Sequence, residues 1–320
     1  QSVALRLIVE REREILGFNP QEYWSIHAQL AKALAAFNTE LARLPGQRGK
    51  PNIPDEATAT GLIDTFKRSE FTVSSVKKGE RAKSPAPPFT TSTFQQAANN
   101  RLGMGASRAM SIAQQLYEGV DVGSGPVGLI TYMRTDSLNV SPIARGDARR
   151  YISGRWGDDY VPAKERVYST RSKGAQEAHE AIRPTDPSRT PDSLRRNLSA
   201  EQLRVYQLIW QRFVSSQMES AVFDTLSVDV VTEKVAHVYL LRASGSTVKF
   251  PGFLVVYEET QDEDFRADDS ENENTRIPAN LTEGQAQALV RLLPEQHFTQ
   301  PPPRYTEATL VQALEEFGIG

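Results

Sequence analysis

The chain has 320 residues, a formal net charge of −3 and no cysteine. The missing cysteines exclude disulfides, thiolate zinc sites and cysteine nucleophiles, and no apolar run approaches the roughly 18 residues that a membrane span requires. A hydrophobic fraction of 39% and a charged fraction of 24% fit a globular protein of two or three domains, expected in the cytoplasm.

Charge is unevenly spread. Residues 258–273 hold nine acids and one base, which leaves the rest of the chain at +5. Residues 77–183 carry sixteen Lys/Arg against ten Asp/Glu. A mildly basic body with a separate acidic loop is compatible with a nucleic-acid partner, and equally with an ordinary mixed surface.

Gln1 opens directly into a helical pattern over 3–16, with Leu5, Ile8, Val9, Ile15 and Leu16 near one face. Strand-like alternation follows through 21–76, broken by a Pro/Gly-rich loop from Pro45 to Pro54. Residues 77–90 read as a basic, Pro-rich connector. Ser92 and Gln95 are expected to form a capping box for a helix from about 93, interrupted at Gly103 and Gly105 and resumed to about 119. Leu129–Met133 reads as a short buried strand. Ser141-Pro142 should start a helix, and Ser199 with Gln202 should cap another. From 221 the period becomes two, predicting strands at 222–231, 235–242 and 247–257. Thr282 is expected to cap a helix through Leu289, Leu292 and Leu293, and a last helix should begin near Thr306. The order predicts an α+β multidomain fold in which a helical domain is inserted into a β domain, with helices outside both.

The segment Gly128-Leu-Ile-Thr-Tyr132-Met-Arg134-Thr-Asp136-Ser137 is richest in chemistry. On a strand Tyr132, Arg134 and Asp136 share a face. An Arg on an apolar strand is costly to bury without an anion, and its guanidinium fork matches a phosphate. The plain alternative is a core tyrosine. His179 shows no partner by spacing, and His27, His237 and His297 lie scattered without ligand spacing.

This decapeptide resembles the active-site signature of bacterial type IA DNA topoisomerases. Four further segments match that family in the same order. They are Gln1–Glu14, Pro88–Ala97, Gln176–Pro184 and Arg304–Gly320. Met133, between the tyrosine and the arginine, resembles the topoisomerase I branch, since the topoisomerase III branch usually has proline there.

The resemblance implies a fold and a reaction. Residues 1–25 and 291–320 would be helical segments of a base domain, 26–90 and 216–290 a β-rich arch, and 91–215 the mainly helical domain that carries the catalytic tyrosine. Tyr132 would cut one strand of single-stranded DNA and hold its 5′ phosphate, without ATP, so that negatively supercoiled DNA relaxes. Arg134 would neutralise phosphoryl charge and His179 would contact DNA near the break. Arg183 would touch a phosphate or brace its loop. Gln1 and Arg6 would belong to a strand-binding groove, although a solvated helix face also explains Arg6. The family's Mg²⁺ ligands are expected upstream of Gln1, with no metal site in this chain, and its zinc ribbons are excluded by the missing cysteines. The rival reading is a noncatalytic single-stranded DNA clamp in which Tyr132 only packs.

Overall fold

The computed structural model describes residues 2–32, 35–123, 125–168, 179–256 and 277–318. Gln1, Gln176 and the acidic stretch 258–273 lie outside the described residues. Among the described residues no helix is long and apolar enough to cross a membrane.

Helix α1 (Ser2–Leu16) precedes strands β1 (Glu22–Lys32) and β2 (Ala35–Arg43), helix α2 (Glu56–Lys67) and the long strand β3 (Glu70–Lys83). A helical block follows. It comprises α3 (Thr91–Leu102), α4 (Ala106–Glu118), the short strands β4 (Val120–Asp121) and β5 (Pro126–Val127), α5 (Pro142–Trp156), the single turn α6 (Pro191–Leu194) and α7 (Ala200–Ser216). Strands β6 (Ala221–Glu233), β7 (Leu240–Phe250) and β8 (Ala286–Phe298) and helix α8 (Glu307–Glu316) complete the order.

Six strands pair antiparallel in the order β1-β2-β7-β6-β3-β8, and β8 returns to β1 to close a barrel. Alternation dictates the closure, because one side of each strand must leave water. Ile26, Ala28 and Leu30 of β1, Phe37 and Leu41 of β2, Phe71 and Val73 of β3, Val228 and Val230 of β6 and Leu241 and Ala243 of β7 are buried together. Helix α2 adds Ala59, Leu62 and Phe66 to this core, and the Phe66 ring meets Phe71 and Tyr239 edge-on at 6.4 and 5.3 Å. Strands β3 and β6 stay paired from Glu70↔Glu233 to Lys83↔Ala221. The chain therefore leaves the barrel along one and returns along the other, and the helical unit is inserted into the β unit.

The helix expected from Thr282 is a turn, with Gln285 N donating to Thr282 O, followed by β8. Leu289, Leu292 and Leu293 have helical spacing, but Pro294 cannot sit inside a helix. It is tolerated in β8, whose far half has β1 alone beside it. The three strands expected between 222 and 257 are one hairpin, β6 and β7, because Gly245 and Ser246 pair with Leu226 and Thr225 instead of turning. Half of the expected connector 77–90 belongs to β3. Helix α2, capped by Asp55, stands where loose alternation is expected.

The helical unit has its own core, built from Phe89, Phe94, Ile112, Leu116, Leu129, Met133, Tyr206, Ile209 and Phe213 among others. Its capping follows the sequence at Ser141 and Ser199. The capping box of α3 lies two residues earlier than expected, at Thr90 and Thr93. That frees the Ser92 hydroxyl, which donates to Glu315 of α8 at 2.5 Å. Glu307 of α8 accepts the Ala106 amide at 2.7 Å, a carboxylate placed on the positive end of α4. Helix α1 joins the segment before α8 through Arg11, which lies 4.2 Å over the Tyr305 ring, and through Glu12, which pairs with Arg304 at 2.8 and 2.9 Å. Its apolar stripe, with Leu5 and Leu16 at 62% and 78% exposure, stays uncovered by the described residues.

Gly252 joins β7 to a 3-10 turn whose Phe253 and Val256 enter the helical core. It has φ +51°, and a Cβ there would lie 2.5 Å from the Ser220 carbonyl oxygen and 2.6 Å from that of Glu219. Gly252→Ala should therefore destabilise the protein by about 2 kcal/mol or more, from left-handed strain plus overlap. Urea unfolding followed by tryptophan fluorescence checks this, and an unchanged midpoint would contradict it.

Candidate active site

The buried strand expected at 129–133 does not form. Ile130 makes one isolated bridge, to Pro184, and the rest of the segment is irregular. Its backbone bonds go to three other parts of the helical unit instead. Leu129 N donates to Leu116 O at the end of α4 (2.8 Å), Thr131 N donates to Arg183 O (2.9 Å) and Thr185 N donates to Leu129 O (3.0 Å). The Thr131 hydroxyl donates to Ala181 O at 2.7 Å and accepts from Arg183 N at 3.0 Å. On the other side of the tyrosine, the Thr91 hydroxyl at the start of α3 donates to Met133 O and accepts from Thr135 N, both at 2.8 Å. Gly128 permits the close approach to α4, since a Cβ there would lie 2.8 Å from Tyr117 O.

The alternation read from the sequence nevertheless holds. Met133, Thr135 and Ser137 are buried, while Tyr132, Arg134 and Asp136 are exposed. Tyr132 is 40% exposed. Its ring meets Tyr117 edge-to-face at 5.4 Å and the His179 ring at 6.4 Å. Arg134 makes no side-chain hydrogen bond or ion pair with the described residues. An exposed phenol thus has an imidazole beside it and an exposed guanidinium two residues on, groups of the kind that can receive a phosphodiester.

Other phenols are less suited to act as nucleophiles. Burial pushes the Tyr168 hydroxyl up to about 12, and it donates to Ser216 O. Burial raises Tyr206 further, and its hydroxyl donates to Arg189 O at 2.6 Å. Both are held neutral by burial and occupied as donors.

Arg183 is braced. Its side chain is 12% exposed, its Nε and Nη2 donate to Glu180 Oε2 and its Nη1 to Pro184 O. Glu180 Oε1 also accepts the Ser141 amide at 2.6 Å, at the start of α5. One carboxylate thus ties the loop that carries His179 to a helix end and to Arg183. Arg6 lies on the exposed face of α1 and pairs with Glu10 at 2.7 Å, and nothing joins it to Tyr132 among the described residues. Gln1 is outside the described residues. Among the described residues no three His, Asp or Glu side chains are grouped to hold a metal ion.

The sequence reading passes over Thr91, Thr131, Glu180 and Tyr117. Each acts through contacts 15 to 52 residues away in sequence, apart from Glu180 with Arg183. Helical spacing does place Tyr117 beside the inward Leu116, facing out, but not beside Tyr132.

A family model described as DNA topoisomerase matches residues 1–320. DNA topoisomerase 1 of Xylella fastidiosa is 48% identical over 325 residues, covering all of this chain and 39% of that protein. The Rickettsia felis DNA topoisomerase 1 is 44% identical over 322 residues, covering all of this chain and 40% of that protein. The chain thus spans about two fifths of the length of these curated relatives. The solved structure of full-length topoisomerase I from Thermotoga maritima matches with a TM-score of 0.79 at 33% identity, over all of this chain and 48% of that one. With the whole chain matched by the family model and by the solved fold, the protein belongs to the bacterial type IA DNA topoisomerase family.

Proposed function

We propose that this chain supplies the nucleophile of an ATP-independent enzyme that cuts one DNA strand, lets another strand pass and reseals the break, so relaxing negatively supercoiled DNA. The observation that carries the reading is the exposure of the Tyr132 phenol on an otherwise clamped segment, beside an Arg134 with no side-chain partner among the described residues and beside His179.

In the first step the Tyr132 oxygen attacks a backbone phosphorus and gives up its proton. A tyrosyl O–P bond forms and the P–O3′ bond breaks. The leaving sugar oxygen takes a proton and becomes a free 3′ hydroxyl, while the 5′ phosphate stays on Tyr132. Resealing is the reverse, with the 3′ hydroxyl attacking and the phenol leaving. Bond made and bond broken are both phosphodiesters, so no ATP is consumed.

Arg134 lies on the same exposed face and would hold the non-bridging phosphoryl oxygens through its fork. His179 would hydrogen-bond DNA near the break. The occupied donors of Arg183 support its bracing role over a phosphate contact, and its part in DNA binding is to hold His179's loop. Gln1 and Arg6 are proposed as contacts of the strand-binding groove on the family resemblance. Mg²⁺ would be held by residues outside this chain, upstream of Gln1, where it would stabilise phosphoryl charge. The protein would work in the cytoplasm, associated with the nucleoid.

In a full-length enzyme carrying this segment, Tyr132→Phe should abolish the covalent protein–DNA adduct and leave the thermal transition nearly unchanged. An adduct that persists on the phenylalanine variant would remove Tyr132 from its role. Arg134→Ala should slow cleavage by about 10²–10³-fold, with Arg134→Lys recovering part of the loss, as a single-turnover cleavage assay would read. The 320-residue chain alone should bind single-stranded DNA weakly and should not relax supercoiled plasmid with Mg²⁺. Efficient relaxation by it would contradict the proposed division of labour. DNA binding with no adduct from the full-length enzyme would favour the clamp reading instead.

A further inference from the structure

A second tyrosine stands beside the nucleophile and has no part in the cleavage chemistry. Tyr117 lies in the last turn of α4, whose inward residues are Ala109, Ile112, Ala113 and Leu116. One position on, its side chain leaves the core and is 41% exposed. The backbone beneath it is fixed on both counts already described. Leu116 O accepts the Leu129 amide, and Gly128 lies against Tyr117 O. The ring therefore stands on a rigid helix end, pinned to the segment that carries Tyr132.

The two rings are 5.4 Å apart with 64° between their planes. At that angle they meet edge to face and do not stack, which leaves a ring face of the pair open. A phosphodiester received by Tyr132 and Arg134 brings with it the nucleobases one sugar away on either side. An unpaired base has an exposed π-face, and a rigid tyrosine face is its natural partner.

We propose that Tyr117 is a nucleobase platform, stacking on one unpaired base that flanks the phosphodiester attacked by Tyr132. The contact selects single-stranded over duplex DNA, because a base held in a helix cannot offer its face. It tolerates any base, since every base has one. This inference rests on the reading of Tyr132 as nucleophile.

The test uses the full-length enzyme carrying this segment and single-stranded oligonucleotides with one defined cleavage position. Each nucleotide flanking that position is replaced in turn by an abasic spacer. Tyr117→Leu keeps an apolar side chain and removes the π-face, and Tyr117→Phe keeps the face. Tyr117→Leu should lower the adduct yield at limiting enzyme by about tenfold on the intact oligonucleotide. It should have no further effect on the oligonucleotide whose stacked base is already absent, and Tyr117→Phe should match the wild type throughout. A Tyr117→Leu loss of the same size at every abasic position, or no loss on the intact strand, would overturn the platform. Tyr132→Phe run alongside keeps the two readings apart: an adduct on that variant would overturn the nucleophile assignment and the platform with it, whereas no adduct there together with no Tyr117→Leu loss would overturn the platform alone.

Discussion

Two threonine hydroxyls hold the chain on either side of Tyr132. Thr131 bonds the loop at 181–183, and Thr91 bonds the backbone at 133–135 from the start of α3. A solvent-facing segment outside any sheet would ordinarily satisfy its backbone with water and move. Here the buried residues Met133, Thr135 and Ser137 anchor one side, and the backbone groups find protein partners. The exposed side then carries a phenol and a guanidinium on a clamped backbone. Under the proposed function, that is the preorganisation that charge stabilisation at a phosphorus needs. Glu180 extends the same frame to His179, by linking the loop to the amide of Ser141 and to Arg183.

The frame sits in a unit that is joined to the rest by few kinds of contact. One covalent path runs through the paired strands β3 and β6, a ladder with one bulge between Val73 and Ser75 that ends at Lys83↔Ala221, where Ala221 belongs to the helical core. A second link is the 3-10 turn after β7, whose Phe253 and Val256 enter the helical core, and a third is the docking of α8 on α3 and α4, where Ser92 meets Glu315 and Ala106 meets Glu307 at exposed positions. Exposed charged contacts of this kind are individually weak.

Much of this was legible in the sequence, for physical reasons that vary by element. Ser141, Ser199 and Thr306 announce helix starts because capping is local chemistry. The same chemistry misleads at Ser92, since Thr90 offers an equivalent cap two residues earlier. Strand β8 reads as a helix because leucine spacing is ambiguous over a short run, and Pro294 together with the pairing to β1 decides. Tyr132 and Arg134 share an exposed face as alternation requires, although the strand that justified the reading is absent. The residues that hold the site are the ones that sequence spacing hides. Glu180 reaches Ser141 across 39 positions and Tyr117 meets Tyr132 across a turn, and neither contact has a local signature. The family resemblance supplied His179, which spacing alone would have left as a lone histidine.

The most direct measurement locates the DNA on the protein. The full-length enzyme carrying this segment is trapped on an oligonucleotide, the DNA is trimmed by nuclease, and the tryptic peptide Ala109–Arg134 is sequenced by tandem mass spectrometry. That peptide holds both Tyr117 and Tyr132, so the fragment ions choose between them. The residual nucleotide mass is expected on Tyr132, joined through a 5′ phosphate. The same mass on Tyr117, or on any residue outside this peptide, would contradict it.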